Sequence, residues 1–131
     1  MRAVAHRNGG RLVQEVKIRE HELTADEPKD QGGDDEGPSP QELLAASLAS
    51  CTAITMEMYA QRKGWEVGDI MVDVNYEPAQ RGSPTRFEIA VKLPKELPED
   101  QRDRLMQIVA RCPVHRTLEG EVIFDEKLEL A

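Results

Sequence analysis

The sequence predicts an α+β fold in the order βββ-α-ββ-α-β, with two main helices against antiparallel sheets. Three observations carry that reading. Strand-like runs flank Asn8-Gly9-Gly10 near the N-terminus. One long helical segment opens at Ser39-Pro40-Gln41-Glu42 and stops at Gly64. A second apolar stripe, Leu105, Ile108, Val109 and Cys112, recurs at the helical spacing i, i+3, i+4, i+7.

Residues 2–7 and 11–18 read as strands because Asn8-Gly9-Gly10 supplies the conformational freedom of a tight turn between them. A third, shorter strand is expected over residues 21–25. Residues 26–37 hold Pro28, three glycines and several carboxylates with almost nothing apolar, which reads as loop. Ser39 then suits an N-cap, Pro40 the first helical position and Glu42 the third position of a capping box. The helix should run to about Lys63, on the order of 37 Å at 1.5 Å per residue. Leu44, Leu48, Cys51 and Met58 fall on one face, beside a thin surface of Ala45, Ala46, Ala49, Ser50 and Ala53. Such a helix is expected at the centre of the fold and buried on most sides.

Residues 70–76 and 86–93 follow as a strand pair joined through residues 78–84. Pro94 and Pro98 lead into a second helix over residues 99–111, ended by Pro113. A short turn at residues 114–119 precedes a last strand over residues 121–130. The chain shows no internal repeat, and 131 residues suit a single domain spanning 1–131.

Composition excludes several functions. The 25 acidic and 17 basic residues leave a formal net charge of −8, with no run of Lys and Arg. Nucleic-acid backbones and anionic membranes demand clustered cations, so neither is an expected partner. The first eleven residues lack the apolar core of a signal peptide. No uninterrupted apolar stretch reaches the length of a membrane span. The expected location is the cytoplasm, where two cysteines seldom form a permanent staple. They are either inert core thiols, since free cysteine packs as a small hydrophobe, or reversible redox groups.

The surroundings of the two cysteines favour chemistry. Gly37-Pro38-Ser39-Pro40-Gln41-Glu42-Leu43-Leu44-Ala45-Ala46 with Ala49-Ser50-Cys51 resembles the helix entry of the OsmC/Ohr family of osmotically induced and organic hydroperoxide resistance proteins. Arg111-Cys112-Pro113-Val114-His115-Arg116-Thr117-Leu118-Glu119 is similar to that family's second cysteine motif, and the likeness in element order covers nearly the whole chain. The resemblance implies an intertwined homodimer with active sites at the subunit interface. It implies a peroxidatic Cys51 that attacks an organic hydroperoxide and becomes a sulfenic acid, and a resolving Cys112 that closes a disulfide. An external thiol would restore the pair, and no cofactor is expected.

The resemblance also implies supporting groups, and here the sequence departs from the pattern. Peroxidase branches hold an activating Arg with a Glu placed ten residues before the first cysteine; that position is Gln41 here, with Glu42 beside it. Glu42 is explained by the capping box. Arg11, with Arg7 and Arg19, is the candidate for the Arg. His115 is a candidate base or cation for a thiolate, or a loop histidine, and His21 is expected at the surface. Tyr59 and Trp65 read as packing residues. Met56 and Met58 read as core or as the lining of an apolar pocket. The acidic run Asp34-Asp35-Glu36 reads as a solvated loop, or as a lid over the helix entry. Metal binding by Cys51, Cys112 and His115 is not expected, because the close-spaced ligand pairs of zinc sites are missing. The reading set against peroxidase activity is a dimer that holds a small apolar or electrophilic ligand at its interface without turnover.

Overall fold

The computed structural model describes all 131 residues. They form β1 (Val4–Arg7), β2 (Gln14–Ile18), β3 (His21–Ala25), α1 (Pro40–Lys63), β4 (Met71–Glu77), β5 (Arg86–Lys92), α2 (Glu99–Ile108) and α3 (Pro113–Glu119), with 3-10 turns at Lys29–Gln31 and Val109–Arg111. The α+β class and the antiparallel sheets are as expected. Two compact units divide the chain: Met1–Ala46 with Asn75–Phe87, and Ser47–Val74 with Glu88–Ala131.

In the first unit β1, β2 and β3 make one antiparallel sheet in sequence order. Val4 faces Lys17 and Arg7 faces Gln14; Gln14 also faces Ala25 on the other side. Gly9 and Gly10 both take positive φ between β1 and β2, which is why glycine suits this turn. The loop that follows β3 is organised by one carboxylate. Asp26 is almost fully buried, and its oxygens accept the backbone N–H groups of Glu27, Asp34 and Glu36 at 2.7, 3.2 and 3.1 Å. The N–H of Asp26 in turn donates to the carbonyl of Pro38 at 3.1 Å. An acidic loop that reads as merely solvated is therefore tied at one end to a buried anion. Asp34 also holds Arg11, which lies in the connection between β1 and β2.

The capping box forms as the sequence predicts. The Glu42 N–H donates to Ser39 Oγ at 3.1 Å, and the Ser39 N–H donates to Glu42 Oε1 at 2.9 Å. At its far end α1 stops at Gly64 (φ 71°), with the Gly64 N–H on the Gln61 carbonyl and the Trp65 N–H on the Ala60 carbonyl. This is the paired arrangement a left-handed glycine permits, and it turns Trp65 back onto Tyr59, 5.7 Å away edge to face.

The second unit is built around Met56, Tyr59, Ala60, Val67, Leu97, Leu105 and Ile108. Val72 of β4 and Val91 of β5 pack on this cluster. Both strands alternate exposed and half-buried residues along their length, the period-2 pattern of a one-sided sheet. Nearer the hairpin tip, within the first unit, Tyr76 and Phe87 stack at 4.8 Å.

Several expectations are corrected. The second helix is shorter than predicted: it ends at Ile108, tightens into a 3-10 turn, and restarts as α3, which is a helix and not the expected turn. Cys112 consequently lies between helices, at the N-cap of α3. Pro113 explains the break, since it lacks an N–H to continue the first helix yet suits the opening position of the next. The last strand does not form within the chain. Residues 121–131 carry no regular structure and are exposed, Phe124 by 80%, because a strand needs a neighbour for its backbone groups and none lies alongside. Helix α1 is not buried on most sides either: Leu48, Thr52, Met56, Tyr59 and Ala60 are buried, while Ile54 and Met58 are more than half exposed. By length and composition alone α1 would also pass for a membrane span.

Asp26 titrates below the ordinary carboxylate range, chiefly because the Glu36 N–H stabilises its anion, although desolvation opposes this. The stability this contributes is present above the ordinary carboxylate pKa and is lost as pH falls through the lowered one. Asp26→Asn should therefore lower the Tm by several degrees at pH 7 and flatten its decline below the ordinary carboxylate pKa, about 4; thermal melts at graded acid pH check it.

Candidate functional site

The second unit brings both cysteines together. Cys51 lies mid-way along α1, half-buried; Cys112 is fully buried, at the junction of the 3-10 turn with α3. Both are free thiols, and Cys112 lies near enough to Cys51 to influence its ionisation. Leu105, Ile108 and Cys112 all point to the core side of their segment, and each is at most 1% exposed.

The turn at Cys112-Pro113-Val114-His115 does more than carry one sulfur. At the start of α3 the backbone N–H groups have no partners within the helix. The N–H of His115 donates to Cys112 Sγ at 3.4 Å, so the sulfur itself caps the helix. The N–H of Val114 stabilises the ionised form of Cys51. One turn of chain thus bears on both sulfurs through its main chain. From α1, the hydroxyl of Thr55 lies one turn beyond Cys51 and donates to the Cys51 carbonyl at 2.7 Å.

Burial pushes the Cys51 thiol above its ordinary pKa. The hydrogen bond with Cys112, and repulsion between two sulfur charges, act in the same direction. Against them stand the Val114 N–H and the Thr55 hydroxyl, which favour the thiolate. The groups that act most strongly on Cys51 include no cation.

Arg11 and Glu42, two of the predicted supporting residues, have partners of their own. Arg11 is exposed and held by Asp34: its Nε lies 3.3 Å from Oδ1, and its backbone N–H donates to Oδ2 at 3.1 Å. Glu42 is engaged by the Ser39 cap, which lowers its pKa through the Ser39 N–H. Gln41, beside it in the first turn of α1, is exposed. The ring of His115 lies against Glu119, with Nδ1 2.9 Å from Oε1 but outside hydrogen-bond alignment, so His115 meets Cys112 through its backbone. Met56 is core and Met58 exposed. His21 is exposed, as expected. No cluster of three His, Cys, Asp or Glu side chains is arranged to hold a metal ion.

Thr55 and the Val114 N–H are the groups that sequence reasoning missed. Thr55 carried a usable signal, because a residue four positions after Cys51 on a helix shares its face. The Val114 contribution is main chain and leaves no mark in side-chain identity.

The raised pKa has a sign that can be checked. Between the ordinary thiol value, about 8.5, and the higher folded value, the folded chain keeps a proton that the unfolded chain has released. Stability contributed by Cys51 is thus present below the ordinary value and is lost as pH rises through the raised one. Thermal stability should fall with pH above that ordinary value, and Cys51→Ala should lessen the fall, as melts at graded alkaline pH would record.

Comparison with known proteins places this arrangement. No curated protein matches the chain in sequence. Among solved structures, it is similar to a Psychrobacter arcticus 273-4 protein provisionally assigned to osmotic stress induction and detoxification response, at 25% identity and a TM-score of 0.74 over 88% of this chain and 85% of that one. It is similar in fold to an OsmC-like protein from Mycoplasma pneumoniae, at 21% identity and a TM-score of 0.70 over 91% and 85%. The same holds for an organic hydroperoxide resistance protein OsmC from Legionella pneumophila, at 22% and 0.60 over 90% and 88%. The family model for OsmC-like protein matches residues 32–127, which include both cysteines, and the chain belongs to that family.

Proposed function

We propose that this protein is a cysteine-based peroxidase that reduces organic hydroperoxides with Cys51 as the attacking residue and Cys112 as the resolving one. The observation that carries the reading is that the two free thiols lie near enough for Cys112 to influence the ionisation of Cys51. Family membership supports a redox or peroxide-stress role, and proteins of similar fold include organic hydroperoxide resistance proteins.

The chemistry balances as follows. Cys51 loses its proton to solvent, and the thiolate attacks the terminal peroxide oxygen. The O–O bond breaks, the leaving alkoxide takes a proton to become an alcohol, and Cys51 becomes a sulfenic acid. Cys112 then attacks that sulfur, water leaves and a disulfide forms. Two electrons and two protons from an external dithiol, in a reducing compartment such as the cytoplasm, restore both thiols.

The working form would be a homodimer. Two exposed apolar features favour a second copy: the Ile54 and Met58 face of α1, and the 121–131 segment with Val122, Ile123, Phe124, Leu128 and Leu130. Deleting residues 121–131 should shift the chain toward monomer in light scattering; an unchanged dimer would remove that segment from the interface.

A second reading, ligand binding without turnover, is favoured by the exposed Gln41 in place of a carboxylate and by the raised Cys51 pKa. One experiment separates the two. Reduced protein should consume cumene hydroperoxide well above the rate of free thiol and lose two titratable thiols per chain. Cys51→Ser should abolish turnover, and Cys112→Ser should leave a Cys51 sulfenic acid that dimedone traps. Wild-type protein that consumes no peroxide beyond the free-thiol rate would overturn the peroxidase reading.

A further inference from the structure

If Cys51 is to react as a thiolate, its charge needs stabilising in a half-buried place that lacks a cation among its strongest influences. The titratable side chain that faces it from the packed turn is Cys112, whose effect is to hold the proton on Cys51. That leaves neutral donors. Val114 contributes a main-chain N–H, which is fixed in direction by the start of α3. Thr55 contributes a hydroxyl, which is not fixed.

The position of that hydroxyl is informative. Thr55 Oγ1 donates to the Cys51 carbonyl at 2.7 Å. Inside an α-helix, the same carbonyl already accepts the N–H of the residue four positions on, which is Thr55 itself. The hydroxyl bond is therefore a second one to an acceptor that has a partner without it. Cys51 and Thr55 stand four positions apart on one face of α1, so turning the O–H bond about Cβ–Oγ toward Cys51 Sγ leaves no backbone group unsatisfied. Thr55 is half-buried, so little water competes for its proton. A hydrogen bond to an ionised sulfur is also stronger than one to a neutral carbonyl, so ionisation of Cys51 is enough to move it.

We propose that Thr55 is a positioning residue whose hydroxyl switches from the Cys51 carbonyl to the Cys51 sulfur when the thiol ionises. In this step the S–H bond breaks and its proton passes to solvent. The Thr55 O–H···O=C bond is exchanged for O–H···S⁻, and no redox partner is required. The proposal deepens the peroxidase reading by naming the group that steadies the attacking thiolate, yet its test does not depend on turnover.

The test is the pH profile of Cys51 alkylation by iodoacetamide, followed on the fully reduced protein by mass spectrometry of the Cys51 peptide. Thr55→Val removes the hydroxyl at nearly constant shape. It should move the midpoint to higher pH and slow alkylation at pH 7 roughly tenfold, the change expected for one pH unit. Thr55→Ser keeps the hydroxyl and should restore the wild-type profile, and Thr55→Ala, which favours the helix, should match Thr55→Val. A Thr55→Val or Thr55→Ala profile that overlays wild type would overturn the proposal. So would a Thr55→Ser variant as slow as Thr55→Val, because packing would then be responsible. If these shifts appear in a protein that turns over no peroxide, the peroxidase reading fails and the role of Thr55 stands.

Discussion

A thiol removed from water must find the stabilisation of its charge inside the protein, and that constraint governs the region around Cys51. Desolvation alone holds the sulfur in its protonated form. The chain answers with geometry, because Pro113 breaks one helical segment and starts another beside Cys51. The break frees main-chain donors that a continuous helix would have consumed in its own hydrogen bonds. Cys112 sits at the break, buried, and uses its sulfur as the cap of the new helix.

Helix α1 makes this arrangement possible by serving two purposes along one element. Its entry is locked by the reciprocal bonds of Ser39 and Glu42, and its exit by the left-handed Gly64. Between these ends, Met56, Tyr59 and Ala60 enter the core of the second unit, which holds the helix in rotation about its axis. Tyr59 adds a polar tether, since its hydroxyl accepts from Arg104 Nε at 2.7 Å. This charge-assisted bond is also the first cause of the lowered Tyr59 pKa. With rotation held, Cys51 faces the turn and Ile54 faces away.

Much of this was legible in the residues. Capping chemistry is local, so Ser39, Glu42 and Gly64 marked the ends of α1 without any knowledge of the fold. Turn residues marked the strands, and helical spacing marked the stripe of Leu105 and Ile108. The last strand was expected over residues 121–130, but a suitable segment does not say whether a neighbour is at hand. The exposure of Ile54 and Met58 escaped for a similar reason, since apolarity does not say which chain provides the cover. Arg11 and Glu42 were both named as site candidates, and both are occupied by partners of their own, Asp34 and Ser39. The donors on Cys51 lay deepest, one in the backbone and one in a threonine that looks like ordinary helix filler.

The end of α1 has a practical corollary. Trp65 is the only tryptophan in the chain, and the Gly64 turn sets it against Tyr59 beside the core of the second unit. The first unit, with Tyr76 and Phe87 stacked in its hairpin, contains no indole. Intrinsic fluorescence excited at the indole band is thus an optical reporter of one unit alone. Paired with far-ultraviolet dichroism, which sees helices and strands in both, it resolves whether the two units melt together or in turn.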